Sequence, residues 1–317
     1  KDVDAAFHCH VGNNLSTSYG IRQYALVSVE YIFHGTTSHA GSSPWEGKSA
    51  ADAAKLMDIG FDVLREHLAP THSSASIIVD AGVQPNVVPD YAKIWWFFRE
   101  ATPEGAQENW NKATKIAEGA CLMTGTTFEQ NVMSAVLPTR DNKIMAETVQ
   151  ANIELVGLPE WTSEEVELAK GLQRINGEKE VGLATEIGPL KKASQGRSSN
   201  DSGDVTWAVP HGRITFPSNV SGTIGHHWTA AIIPATSIAH KGEVAGAKVL
   251  AGSMIDLLTK PDLLAQAIKL HKEEIPVAPK LLLPADQKPP LDLHRAEMEK
   301  YRSLMEPFYY RPTIKFQ

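Results

Sequence analysis

The sequence predicts an α/β domain interrupted by an inserted α+β unit of βαββαβ order, the split or ferredoxin-like arrangement. Three observations carry this. β-rich and helical runs alternate in that order between Ile21 and about Thr139; the flanks mix helices with short strands; a long apolar helical stripe follows near the C-terminus. Val3 to Val11 reads as a short buried strand. Tyr24 to Phe33 is a β-rich run, and Gly35 to Pro44 is a Gly/Thr/Ser loop. A helix follows, with Ser49 as cap, Asp52 three residues on, and Ala53, Leu56, Met57, Gly60, Phe61 and Leu64 at helical spacing until Ala69-Pro70 stops it.

Strand runs at Ser74 to Val79 and Ala92 to Phe98 flank the turn-forming stretch Gly82 to Asp90. A second helix starts near Pro103-Glu104 and ends at Thr124-Gly125, before a β-rich run from Thr126 to Val136. The insert is assigned to residues 23–137 and the α/β domain to 1–22 and 138–317. Helices are expected near Asn142 to Leu155 and Ser163 to Arg174, and from about His240, where Val244, Ala247, Leu250, Ala251 and Met254 share a stripe. Pro276 to Gln317 has no clean period and is read as a tail on the surface.

Composition narrows the function classes. With 317 residues, 42% hydrophobic and 21% charged, the chain builds a substantial core, with two domains as the prior. Its 30 basic and 37 acidic side chains give a charge of -7, interspersed rather than blocked, which argues against nucleic acid and anionic membranes as partners. No apolar run approaches the ~20 residues that a bilayer crossing needs. Cys9 and Cys121 are too few for a disulfide framework and point to a reducing, cytoplasmic setting. The start lacks a signal-peptide pattern, and a chain opening mid-strand without methionine looks truncated or processed. The sequons at Asn14, Asn200 and Asn219 are then chance matches.

His8 and His10 are two apart on the opening strand, so both point to one face beside the strand-ending Gly12-Asn13-Asn14, a placement that suits zinc or manganese. Hydrogen-bonded core histidines are the alternative, and spacing leaves the two open. His226-His227-Trp228, in a Gly-rich loop, is a second pair from which one ligand could come, with surface histidines as the alternative. His39 stands alone among small residues in its loop, as an imidazole donor to a substrate oxygen requires, or as a solvated loop side chain. Arg99 ends an apolar strand and is suited either to a carboxylate or to a salt bridge with Glu100 or Asp90. A nucleophilic Ser202 in Asp201-Ser-Gly-Asp204 lacks the Gly-x-Ser-x-Gly elbow and an identifiable base.

Together these pieces resemble the zinc aminoacylase and glutamate-carboxypeptidase family, most closely its aminobenzoyl-glutamate hydrolase branch. Asp4 to Val11 resembles the family's strand ending in His-Val, which implies that His10 is a metal ligand. The Gly35 to Pro44 loop is similar to the lid loop whose histidine, His39, enters the partner subunit's site and polarises the scissile carbonyl. Pro85-Asn86-Val-Val-Pro89 with Arg99 resembles the pair that binds the substrate's peptide oxygen and terminal carboxylate. Ser199 to Trp207 resembles a loop near the site, with loop-ordering aspartates, and His226-His227-Trp228 the closing segment, with His226 ahead of His227 as ligand.

The resemblance implies a partial hydrolase-like mixed-sheet catalytic domain around a dimerisation lid, and a lid-mediated homodimer or heterodimer of related subunits. In the intact enzyme it implies two divalent ions, zinc or manganese, and an N-acyl amino acid substrate. The family's other ligands and its Glu-Glu base lie upstream of the His10 strand, and Glu164-Glu165 and Glu273-Glu274 are read as polar helix faces. The competing expectations are a non-catalytic dimerising subunit and, third, a serine hydrolase through Ser202.

Overall fold

The computed structural model describes residues 2–277, 279–283 and 286–309. The parts of the expected 1–22 and 138–317 domain and of the Pro276 to Gln317 tail that fall on residue 1, 278, 284–285 and 310–317 lie outside the described residues. Residues up to Leu282 form one compact unit, and Leu283–Gln317 form a second.

Within the first unit, β3 (Ala25–His34), α1 (Ala50–Leu64), β4 (Ser73–Asp80), β5 (Tyr91–Glu100), α2 (Pro103–Thr124) and β6 (Thr127–Val136) follow the predicted βαββαβ order. Their strands form one antiparallel sheet in the order β4-β5-β3-β6. Local chemistry sets the helix ends. Ser49 Oγ accepts from Asp52 N at the start of α1, Thr102 Oγ1 from Gly105 N at the start of α2, and Gly125 ends α2 at φ 68°.

Both helices cover one sheet face. Val27, Val29, Tyr31 and Phe33 alternate into that core with Ile94, Trp96 and Phe98 of β5, all fully buried. Phe61 of α1 closes it, its ring 4.6 Å from Trp96 and 5.4 Å from Phe98. The run Ile94 to Phe98 looks uniformly apolar in sequence, yet Trp95 and Phe97 stand with Arg99 on the uncovered face.

The rest of the unit is α/β. β1 (Ala6–Gly12) and β9 (His211–Pro217) are a parallel pair, and short strands β2 (Ser18–Ile21), β7 (Arg140–Asp141) and β8 (Lys191–Lys192) form a small mixed sheet in the order β7-β2-β8. Around them run α3 (Lys143–Val156), α4 (Ser163–Ile175), α5 (Ser202–Ala208), α6 (Trp228–Ala231), α7 (Ser237–Thr259) and α8 (Pro261–Glu274). Val149 and Ile153 of α3, Ile214 of β9 and Val249 of α7 share a core with Leu15. The segment before α5, with α5 itself, ties down both crossings into the antiparallel sheet. Ser199 Oγ donates to the Tyr24 carbonyl on the outgoing crossing, while Asp204 accepts from Leu137 N and Trp207 Nε1 donates to the Pro138 carbonyl on the return. The loop-ordering role expected of the aspartates matches Asp204, whose carboxyl burial pushes up.

Two expectations change. Helix α9 (Arg295–Met305), in the second unit, is helical where the sequence read as an irregular tail. Glu165 does not lie on a polar face: it is buried, its carboxylate taking bonds from Lys241 Nζ, Ser237 Oγ and Thr162 N at 2.8, 2.5 and 2.8 Å. A partner 76 residues away in sequence draws it inward.

Candidate functional site

The loop after β3 is built to hold one imidazole. A Cβ on Gly35 would collide with the Lys48 carbonyl oxygen, so the loop closes there only around glycine. Backbone bonds then lace it to the segment before β5: Gly35 N to the Asp90 carbonyl at 2.7 Å, Ala40 N to Asn86 at 2.9 Å and Val88 N to Ser38 at 2.9 Å. The His39 ring is fixed from within, because Gly41 N and Ser42 N both donate to its Nδ1 at 3.1 Å. A nitrogen that accepts cannot carry the proton, so Nε2 is the N–H donor, on an exposed side chain. Asn86, bridged through its backbone to the same loop, is also exposed. The structure therefore brings His39 and Asn86 together.

Arg99 stands elsewhere. Asn86 precedes β5 while Arg99 closes it, and Tyr91 to Arg99 alone spans roughly 26 Å at about 3.3 Å per residue. One copy of the chain does not gather Asn86 and Arg99 into a single pocket. The guanidinium lies 4.9 Å over the Phe97 ring, its Nε is shut from solvent without a partner, and burial pushes its pKa down. Neither Glu100 nor Asp90 pairs with it; among the described residues Arg99 makes no ion pair. Glu100 instead accepts from Ala101 N.

The parallel pair puts the histidine candidates at adjoining strand ends. Gly12 is in register with Pro217, and Asn219 N donates to the Gly12 carbonyl at 2.9 Å, so the loop carrying His226 leaves beside the end of the His10 strand. His10 is exposed, with Nδ1 2.7 Å from its neighbour's carbonyl. His226 is exposed and holds φ at 62°, a left-handed conformation costly for a residue with a Cβ. His227 is the N-cap of α6, its Nδ1 2.8 Å from Thr229 Oγ1.

His8 faces His10 at 5.9 Å between ring centroids. It also adjoins the buried pair His211–Asp141, which sequence reasoning missed. Asp141 lies 70 residues before His211, so no motif could have shown the pair. Among the described residues no three His, Cys, Asp or Glu side chains come together as a metal site. Two histidines fall short of the three protein ligands a catalytic zinc takes, so the residues present do not by themselves make a metal centre. Ser202 is no better placed as a nucleophile. Its buried hydroxyl donates to Asn200 Oδ1 at 2.5 Å and meets no histidine among the described residues.

No family model matches the chain. It is 31% identical over 301 residues to one of the subunits of the p-aminobenzoyl-glutamate hydrolase of Escherichia coli (strain K12), covering 86% of this chain and 62% of that one. It is 30% identical over 269 residues to the Xaa-Arg dipeptidase of Homo sapiens, covering 83% and 54%. The chain is a member of the aminoacylase and glutamate-carboxypeptidase family. It spans less than two thirds of the length of each relative. An aminobenzoyl-glutamate utilization protein from Klebsiella pneumoniae shares the fold, with a TM-score of 0.51 at 17% identity over 80% of this chain and 54% of that one. Among the described residues no helix is long and apolar enough to cross a membrane.

Proposed function

We propose that the protein takes part in metal-dependent hydrolysis of an amide bond in an N-acyl amino acid of the aminobenzoyl-glutamate kind. The observation that carries this is the His39 ring, whose Nδ1 is pinned by two backbone N–H groups while its Nε2–H points outward as a donor. Such a donor suits the oxygen of a carbonyl under attack, where charge develops as the bond breaks. The Asn86 amide, on the same lobe, adds a second polar group, and the unpaired Arg99 guanidinium suits the carboxylate of the amino acid. Zinc or manganese at His10 and His226, with ligands beyond these two, belongs to the same proposal, and His226 is favoured over a His227 already spent on capping.

The separation of Arg99 from His39 and Asn86 argues for a site shared between two copies, or between this chain and a related subunit. One copy would supply His39 and Asn86, and the other Arg99. The open edge of β4 is a suitable seam: among the described residues it pairs with β5 alone, and it exposes Ile77, Ile78 and Val79. The Escherichia coli relative is by name one subunit of a hydrolase, which fits assembly with another chain.

Complementation tests this. His39→Gln and Arg99→Met variants, each inactive alone, are mixed and reassociated, and hybrids regain part of the activity because half of their sites keep every residue. No recovery in verified hybrids refutes the shared site. A second reading, a non-catalytic dimerising subunit, is favoured by the lack of a three-ligand set among the described residues; a protein without stoichiometric metal would support it.

A further inference from the structure

On the face that β1 and β9 turn toward β2 and β7, positive charge outnumbers negative. His8 and Arg213 are register partners in the parallel pair, and Arg22 and Asp141 reach them from the small mixed sheet. Asp141, fully buried, is the carboxylate among them. Its Oδ1 pairs with His211 Nδ1 at 2.7 Å and its Oδ2 accepts Arg22 Nε at 3.2 Å. Donors are left over. Arg22 Nη2 is shut from solvent with no acceptor, and so is His8 Nδ1. Arg213 has one side-chain hydrogen bond among the described residues, Nε to Thr215 Oγ1 at 3.1 Å, and no ion pair. Burial, and then the neighbouring Arg22, push its pKa down to about 10, with Asp141 pulling the other way. Arg213 is only partly buried, shares the charge of Asp141 with Arg22 and His211, and has five N–H donors in a planar fork that call for a matching acceptor.

We propose that Arg22 and Arg213, with His8, form a carboxylate-binding site separate from Arg99. Charge selects the ligand. The two guanidinium groups and the Asp141 carboxylate leave a surplus of one positive charge. A single carboxylate cancels it, whereas a phosphate, at about -1.5 to -2, would overshoot beside Asp141. The planar fork fits a carboxylate bidentately, and His8 adds a third donor when its ring proton is on Nδ1. The inference stands without the amidohydrolase reading, because it rests on unpaired donors and is tested by binding alone.

A free acid and an acidic side chain of another polypeptide share this chemistry. Calorimetric titrations of Arg99→Met protein, which removes the other carboxylate candidate, use butyrate in one arm and the end-blocked peptide Gly-Glu-Gly in the other. Saturable binding of butyrate alone identifies a small-molecule site. Peptide binding of equal strength identifies an acidic side chain as the occupant. Adding Arg213→Met should weaken binding about 10- to 100-fold. If that variant misfolds by circular dichroism, Arg213→Lys, which keeps the charge and loses the fork, should still weaken it several-fold. No saturable binding in either arm, or binding unchanged by both Arg213 variants, overturns the proposal.

Discussion

Removing the Asp141 carboxylate tests the polar cluster that joins the two β-sheets of the α/β region. Asp141 and His211 are 0% and 1% exposed, and Asp141 also holds Arg22, whose side chain is 15% exposed. Each hydrogen bond to a charged group is worth about 1.5–3 kcal/mol, which sums to roughly 3–6 kcal/mol for the two. Arg22 can turn partly to water and recover some of its share, whereas His211 cannot. Asp141→Ala should therefore destabilise by about 3–4 kcal/mol, within the range for breaking one side of a buried pair. Asp141→Asn, which keeps an acceptor for His211, should cost about 2 kcal/mol. Urea unfolding at neutral pH measures both. An Asp141→Ala, His211→Ala double-mutant cycle should show coupling above about 1 kcal/mol. A loss below about 1 kcal/mol for Asp141→Ala, with the same m-value, would refute the view that this pair holds the strands together.

The other predictions are more local. Phe61→Ala removes the ring packed on Trp96 and Phe98 and should cost about 3–5 kcal/mol in the same unfolding assay. Burial raises the Glu165 carboxyl, but the bonds from Lys241, Ser237 and Thr162 outweigh it and hold it below the ordinary glutamate range. Its contribution is thus fully present above the unfolded value of about 4.3 and lost as pH falls through the folded value. The stability gap between wild type and Glu165→Gln should narrow on acidification below that point, and a gap constant from about pH 7 to about pH 3 contradicts this. Gly35→Ala should open the His39 loop, seen as faster amide exchange at Ala40 and Val88, while His39→Gln should leave stability within about 0.5 kcal/mol.

Much of the insert was legible because its signals are local. Ser49 with Asp52, and Pro103 with Gly125, mark helix ends through bonds within one turn. The Gly-rich setting of His39 was likewise readable. The α9 helix carries Met298, Tyr301, Leu304 and Met305 at helical spacing, a short stripe inside a Pro- and Lys-rich segment, and none of its described residues is buried.

The sequence by itself determined the βαββαβ order, the helix caps and which residue types could do chemistry, since these follow from backbone preferences and bonds between near neighbours. Tertiary structure decided which residues meet. It split Ile94 to Phe98 between two faces, set Arg99 a strand's length from Asn86, drew Glu165 to Lys241, and joined Asp141 to His211 and Arg22. Those outcomes depend on sheet register and on charges tens to hundreds of residues apart, for which a linear pattern carries no signal.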